Sequence, residues 1–464
     1  MVTSKKSLLQ ILLYYQLYYY QDLVERLGVN FFHRRRLQQR IGATGNGNTG
    51  NTTTTTVLSI SHPPSITFLR LFYLVFLVRC AAILFLPVAT SSQLKRILLL
   101  VEHWRQNAVN CEGTVFLWSV LLTIFFWRVL PSNLLHFKWL ALFRMTDRPS
   151  DGHRYLHPGE AGLSPVDFWK FKRFRRALKL YYHSIFASVV PMFSLAMIVL
   201  VAKVGLFRSW PRWAYLYSVF YSVSVYICCS SLYSLFLSFN LTARYIQIKQ
   251  RSLAEGCARS LAHLVAHALL EEVREAQNVK TSVENANSKA SRQVPLLYHL
   301  AAFQRRHAHY VTLFAELADY NRFWAGYLST VFLVYSTIVA FALYIILYAE
   351  IIWYLNVAYG FVLLNHALNM TAIIAISGQV ALQQQQWAYR CASLTGRLTK
   401  TKVGVLSTAQ VIRLQVINEA VGSLNSAGFV LTNGMQISHQ TFQALIANIS
   451  FYFFLTLQNI LYGT

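Results

Sequence analysis

ISHQTFQALIANISFYFFLTLQNIL, residues 437–461, contains no aspartate, glutamate, lysine or arginine. A helix needs roughly 20 predominantly apolar residues to cross the hydrocarbon core of a bilayer, so this stretch predicts a transmembrane helix. At 100° per residue, Thr441, Asn448, Tyr452, Leu455 and Asn459 share one narrow face of it. Polar groups on one stripe of a helix otherwise compatible with lipid must meet water or polar partners, since each unsatisfied group there costs several kcal/mol. Interhelical hydrogen bonding in an ordinary bundle satisfies that demand. So does a hydrated pathway shared by several copies, narrowed by Tyr452 or Leu455, which a hydrophobic constriction can gate by dewetting.

The rest of the chain repeats the pattern. Of its 464 residues, 55% are hydrophobic, 15% aromatic and 13% charged, against about 25% charged in an ordinary soluble domain. Seven apolar spans are predicted, near 66–89, 113–135, 180–205, 214–240, 324–349, 352–379 and 437–461. The fold class is therefore all-α and polytopic. The net charge of +25 does not point to nucleic acid, because the basic residues sit between spans and no phosphate-cradling glycine loop or aromatic-basic module accompanies them.

Basic residues orient the bundle. Lys138, Arg144, Arg148, Arg154, Lys170, Lys172, Arg173, Arg175, Arg176 and Lys179 lie between spans two and three, and Arg390, Arg397, Lys400, Lys402 and Arg413 between six and seven. The turn between spans five and six has none. Cytoplasmic loops carry the excess of lysine and arginine, which places the N-terminus inside and the C-terminus outside, as Arg34, Arg35, Arg36 and Arg40 agree. Lys95, Arg96 and Arg105 run against this and suggest an amphipathic stretch on the outer surface. Arg79, near the middle of span one, should face the bundle interior or water.

The expected organisation is a cytoplasmic segment at 1–65, spans one to four at 66–240, helical cytoplasmic extensions at 241–323, spans five and six at 324–379, a cytoplasmic helix at 380–436 and the last span at 437–464. In the first segment, LLQILLYYQLYYY (8–20) predicts an interfacial helix, and the tract GATGNGNTGNTTTTT (42–56) predicts disorder. In 257–276, Leu261, Leu264, Val265, Ala268, Leu269 and Val273 share a helical face. A second helical run at 295–320 carries Leu296, Leu300, Phe303, Val311, Phe314 and Leu317, with a polar linker between the two, and 405–422 is a further amphipathic helix. These stripes fit either an intramolecular bundle or an anchor between subunits.

The end of the chain carries a resemblance. Ser426-Ala427-Gly428-Phe429 precedes the last span, and within it Tyr452 and Gln458 are separated by five mostly apolar residues. This is similar to the C-terminal signature of insect gustatory receptors: Thr-Tyr, five hydrophobics, then Gln-Phe. The resemblance implies a divergent member of the insect chemoreceptor superfamily, with seven spans, an intracellular N-terminus and cytoplasmic helix ends forming an anchor. It also implies a tetramer, of identical or related receptor subunits, whose last helices line a cation pore. Thr441, Asn448, Tyr452, Leu455, Gln458 and Asn459 would then be pore or gate residues. The motif's threonine is Phe451 here and its final phenylalanine is Asn459, and those departures motivate an alternative reading, a non-conducting accessory membrane protein of the same family.

A small-molecule site would open outward between spans two to six. Trp118, Tyr217, Tyr221, Tyr335, Tyr344, Trp353, Tyr359, Asn365 and His366 lie in the outer halves, and aromatics with a few amides suit a sugar ring or an apolar ligand. Aromatic residues also serve as interfacial anchors. The spans hold almost no acids, which disfavours a strongly cationic ligand.

Other classes find less support. An Ala-Arg-Tyr at 243–245 follows span four, whereas G-protein-coupled receptors, of opposite orientation, carry an acidic-Arg-Tyr after span three. A secondary transporter predicts repeats and broken midplane helices; Pro191 is the one plausible break and no repeat is visible. No enzyme constellation, cofactor motif or metal cluster appears, and His263 and His267, at i,i+4 on a cytoplasmic helix, read as surface residues. Cys80, Cys111, Cys228, Cys229, Cys257 and Cys391 read as free thiols, and Gln383–Gln386 as a polar helical turn. The expected partners are membrane lipid, a small-molecule ligand and further receptor subunits, in the plasma membrane.

Overall fold

The computed structural model describes residues 70–78, 81, 105–124, 127, 162–203, 211–278, 286–349, 353–400, 408–423 and 428–462. A helical stretch at 70–78 (α1) is followed by α2 (Arg105–Ile124), α3 (Pro165–Lys203), α4 (Pro211–Asn278), α5 (Ala286–Tyr348), α6 (Trp353–Lys400), α7 (Thr408–Ser423) and α8 (His439–Tyr462). No strand occurs among the described residues, and one isolated antiparallel bridge pairs Val430 with Gln436. The predicted interfacial helix at 8–20, the low-complexity tract at 42–56, Arg79 and the outer-loop stretch around Lys95 lie outside the described residues.

Helix lengths exceed what a bilayer needs. α4 has 68 residues and α5 63, so the predicted cytoplasmic extensions of spans four and five are continuous with the spans themselves. The second run begins at Ala286 rather than 295, taking up the end of the expected linker. α3 begins at Pro165, so Lys170, Lys172, Arg173, Arg175, Arg176 and Lys179 of the basic stretch before span three are helical, while Lys138, Arg144, Arg148 and Arg154 lie outside the described residues. Ser164 caps it: its Oγ accepts from the Asp167 N–H at 3.1 Å and donates to the Asp167 carboxylate at 2.6 Å. With Pro165 at the first helical position, this is a strong helix start. Pro191 lies inside α3 without ending it.

Two compact units divide the chain. The first comprises 1–156, 179–238 and 350–358. Its core includes Tyr73, Phe76, Trp118, Leu121, Leu122, Leu232 and Phe236. Phe72 and Phe76 stack at 5.9 Å, and the Arg70 guanidinium lies over the Trp127 ring at 5.8 Å.

The second unit comprises 157–178, 239–349 and 359–464. Leu261, Leu264, Val265 and Ala268 of α4 are buried, as are Leu300, Phe303, Phe314 and Leu317 of α5. The expected stripes run too far, however: Leu269, Val273 and Val311 are exposed. A helix with 3.6 residues per turn carries such positions steadily round from the contact line.

Polar contacts between helices lock the register of this bundle. Lys249 of α4 donates to Glu316 of α5 at 2.8 Å and to the Tyr245 hydroxyl at 2.9 Å, and the Tyr320 hydroxyl donates to Glu316 at 3.1 Å. Arg306 donates to the Gly256 carbonyl at 2.8 Å and to Ser260. Gln247 donates to Gln379 of α6, and Gln250 to the Val380 carbonyl at 3.2 Å. The predicted polar turn at 383–386 needs correction at Gln384. That side chain is buried, accepts from Tyr310 of α5 and donates to the Val421 carbonyl of α7 at 3.4 Å. Cys257 and Cys391 are free and buried, and burial pushes the Cys257 thiol up to about 12.

Among the described residues, Trp324–Tyr348 and Leu355–Leu398 are long and apolar enough to cross a membrane. Leu333, Leu347, Phe361, Leu364 and Leu368, in and beside the spans predicted there, are all exposed. So much outward apolar surface suits hydrocarbon rather than water.

Candidate functional site

The entry to the last helix is built around residue 428. A Cβ added at Gly428 would meet the Gln436 side chain, Nε2 at 2.6 Å and Cγ at 3.2 Å, so glycine lets the two arms of the 428–438 turn close. They pair through Ile437 N–H to the Phe429 carbonyl at 2.8 Å and Leu431 N–H to the Met435 carbonyl at 2.8 Å. Gly434 takes φ +79° at the tip, a left-handed conformation that costs glycine little.

Two side chains of α5 hold the turn. The Asn321 amide donates to the Gly428 carbonyl at 2.7 Å. The Ser329 hydroxyl accepts from the Thr432 N–H at 2.9 Å. Phe429 is fully buried and packs edge-on against Phe239 of α4, ring centres 5.2 Å apart, while Phe239 meets Trp324 at 5.3 Å. The small-Gly-aromatic element singled out in the sequence is thus a plug that anchors the last helix.

Ser438 begins α8. Its Oγ accepts from the Gln440 N–H at 3.3 Å, and the Thr441 hydroxyl reaches back to accept from the Ser438 N–H at 2.9 Å. Thr441 is buried in this reciprocal cap. α8 then packs along α5, burying Leu445 and half-burying Ile449, Tyr452 and Thr456. Asn448, Phe451, Phe454, Leu455 and Gln458 are exposed in the single chain, Leu455 at 43% and Phe451 at 63%. Of the predicted stripe, Thr441 and Tyr452 therefore turn toward the bundle while Asn448 and Leu455 stand on the open side. The Asn459 side chain lies outside the described residues.

The outer residues divide between the units. Trp118 is buried and Trp353 is 75% exposed in the first unit, and the side chains of Tyr217 and Tyr221 lie outside the described residues. In the second unit, Tyr335 and His366 come together with ring centres 4.3 Å apart. Both are buried, and the His366 Nδ1 lies 2.7 Å from the Val362 carbonyl. One turn along, Asn369 donates to Asn365 at 3.1 Å. Tyr359 is buried. Tyr344 stacks with Tyr348 at 6.1 Å, and Tyr348 meets Phe453 of α8 at 6.2 Å. The Asn321, Ser329, Gln384 and Lys249–Glu316 contacts had no local signal in the sequence beyond polar residues on otherwise apolar helical faces.

Among the described residues the architecture is all-helical, with long helices running past the predicted apolar spans and a short last helix plugged onto α5. The insect olfactory receptor OR5 from Machilis hrabei is similar, with a TM-score of 0.56 at 11% identity over 92% of this chain and 99% of that one. The same receptor in complex with eugenol gives a TM-score of 0.54 at 11% identity over the same shares. The likeness is one of fold. No protein-family model matches the chain, and no curated protein matches it.

Proposed function

We propose that this chain is a subunit of a small-molecule-gated cation channel of the insect chemoreceptor superfamily, on its gustatory-receptor-like branch. It would span the plasma membrane seven times, with its N-terminus inside and its C-terminus outside. The observation that carries the reading is the fold shared with an insect olfactory receptor along 92% of the chain. The terminal motif adds support, because its plug fixes one face of α8 and leaves Asn448, Leu455 and Gln458 open. Four copies presenting those faces to a common axis would bring amides and an apolar ring together, a pathway that can wet and dewet. No enzyme activity and no cofactor are part of this reading.

Ligand entry is proposed at Tyr335, Tyr344, Asn365 and His366. The solved receptor that holds eugenol makes a small aromatic molecule the first probe. A ligand shifts an equilibrium only by its differential affinity for the two states. Here the difference would be carried from α5 and α6 to α8 through Tyr348–Phe453 and the Asn321–Gly428 clamp.

The departures at Phe451 and Asn459 favour a second reading, a non-conducting accessory relative, since a 63% exposed phenylalanine replaces a hydroxyl. One experiment addresses both. Detergent-purified Asn459→Cys protein is cross-linked through the introduced thiol, and the wild type is recorded in planar bilayers with and without eugenol. A tetrameric mass, efficient cross-links and cation current support the channel. A cross-linked tetramer that never conducts, alone or with related subunits, supports the accessory reading. A monomer with no cross-links sinks the homotetrameric pore.

A further inference from the structure

α4 and α5 run side by side beyond the predicted spans in a fixed register. Arg306 holds the Gly256 carbonyl at 2.8 Å, and seven residues further along α4, His263 lies opposite His299, with ring centres 5.4 Å apart. His267, one turn on from His263, approaches the same His299 ring at 5.1 Å. His263 and His267 stand at i,i+4, the spacing that places two imidazoles on one helical face and that helical zinc sites use. The neighbouring helix supplies the third ring, which no local reading of α4 could show.

We propose that His263, His267 and His299 form a tridentate site for a borderline-soft divalent cation, with Zn2+ as the probe. Zinc–nitrogen bonds of about 2.0–2.1 Å in tetrahedral geometry put the centres of two coordinating imidazoles about 5 Å apart, close to the separations of His299 from His263 and from His267. The rings are nearly parallel, at 21° and 28°. As the side chains stand, no group of three histidine, cysteine, aspartate or glutamate residues among those described is placed to hold a metal ion, so binding requires all three rings to turn. His263 is exposed and His267 and His299 are partly so, which leaves room for it.

The electrostatics suit a ligand set that must be neutral to bind. Burial, followed by the facing His267 and His263, lowers the pKa of His299. Tyr298 lies edge-on to His299 at 5.7 Å. Glu271, one turn beyond His267, is engaged by Arg274 at 3.1 Å. Three imidazoles and a water therefore complete the coordination, and the ion would tie α4 to α5 outside the membrane.

The test is zinc titration calorimetry on the full-length chain in detergent, purified without a polyhistidine tag. One site per chain with micromolar affinity is expected. A lost ligand costs at least the roughly tenfold of a lost outer-shell partner, so His299→Ala should weaken binding by that much. His309→Ala, an exposed histidine of α5 outside the cluster, should leave it unchanged. Cobalt supplies a second readout independent of stability: tetrahedral visible absorption in the wild type, lost in His299→Ala. No binding, binding equally strong in His299→Ala, or an unchanged cobalt spectrum in that variant would overturn the site.

Discussion

Asn321 holds Gly428 across 107 residues of chain: its amide donates to the glycine carbonyl at 2.7 Å, while its oxygen accepts from the Val430 N–H at 3.4 Å. One side chain thus satisfies two main-chain groups of the turn that launches the last helix. Replacing Asn321 with leucine keeps the volume and strands both groups, at about 1–3 kcal/mol for each that stays buried. Thermal unfolding of the detergent-purified variant, followed by fluorescence size exclusion, should show a clearly lowered Tm. Asn321→Asp, which keeps the acceptor and loses the donor, should fall between. A wild-type Tm for Asn321→Leu would mean that the turn is held by its other contacts.

The glycine makes a separate prediction. Gly428→Ala drives a methyl group into the Gln436 side chain, where Nε2 would stand at 2.6 Å. Overpacking of this kind costs about 1–3 kcal/mol, unless the flexible end of Gln436 swings aside. Gln436→Ala in the same chain should recover most of the loss. A double-mutant cycle on Tm measures this coupling, and strictly additive losses would contradict the contact.

Lys249 and Glu316 are 19% and 14% exposed and 2.8 Å apart. Burial and the Glu316 charge push the neighbouring Tyr245 and Tyr320 hydroxyls well above their ordinary range, so both remain neutral donors or acceptors. Lys249→Met leaves Glu316 without its counter-ion, and breaking a largely buried pair costs about 3 kcal/mol. Lys249→Met with Glu316→Gln should be less damaging than Lys249→Met alone. Denaturation midpoints of the three variants decide it.

His307 supplies a pH dependence. It is buried in α5 before the predicted fifth span, beside Phe303 at 6.1 Å, and burial lowers its pKa from the ordinary 6.5. A depressed histidine pKa means that the fold favours the neutral ring. The contribution is complete above pH 6.5 and is lost as pH falls below it toward the folded-state value. Stability measured from pH 7.5 to 5 should therefore decline on the acid side, and His307→Phe should flatten that slope. His299, shifted in the same direction, should leave a residual slope. An unchanged slope in His307→Phe would remove His307 as its source.

What could be read from the sequence was whatever depends on near neighbours along the chain. The last helix was expected at 437–461 and runs Ser438-capped from His439 to Tyr462. Apolar runs and 3.6-residue periodicity belong to single segments, so the helical class and the overlong α4 and α5 were legible. The same locality explains the misreadings. Leu269, Val273 and Val311 kept to an apolar stripe but left the contact line.

Tertiary structure alone decided which polar residues meet. Asn321 with Gly428, Lys249 with Glu316, Gln384 with Val421 and His299 with the His263–His267 pair each join separate elements. A one-residue slide of either helix turns a facing side chain by about 100°. Such pairs therefore exist only once packing has fixed the register of every helix against its neighbours, which no single segment of sequence contains.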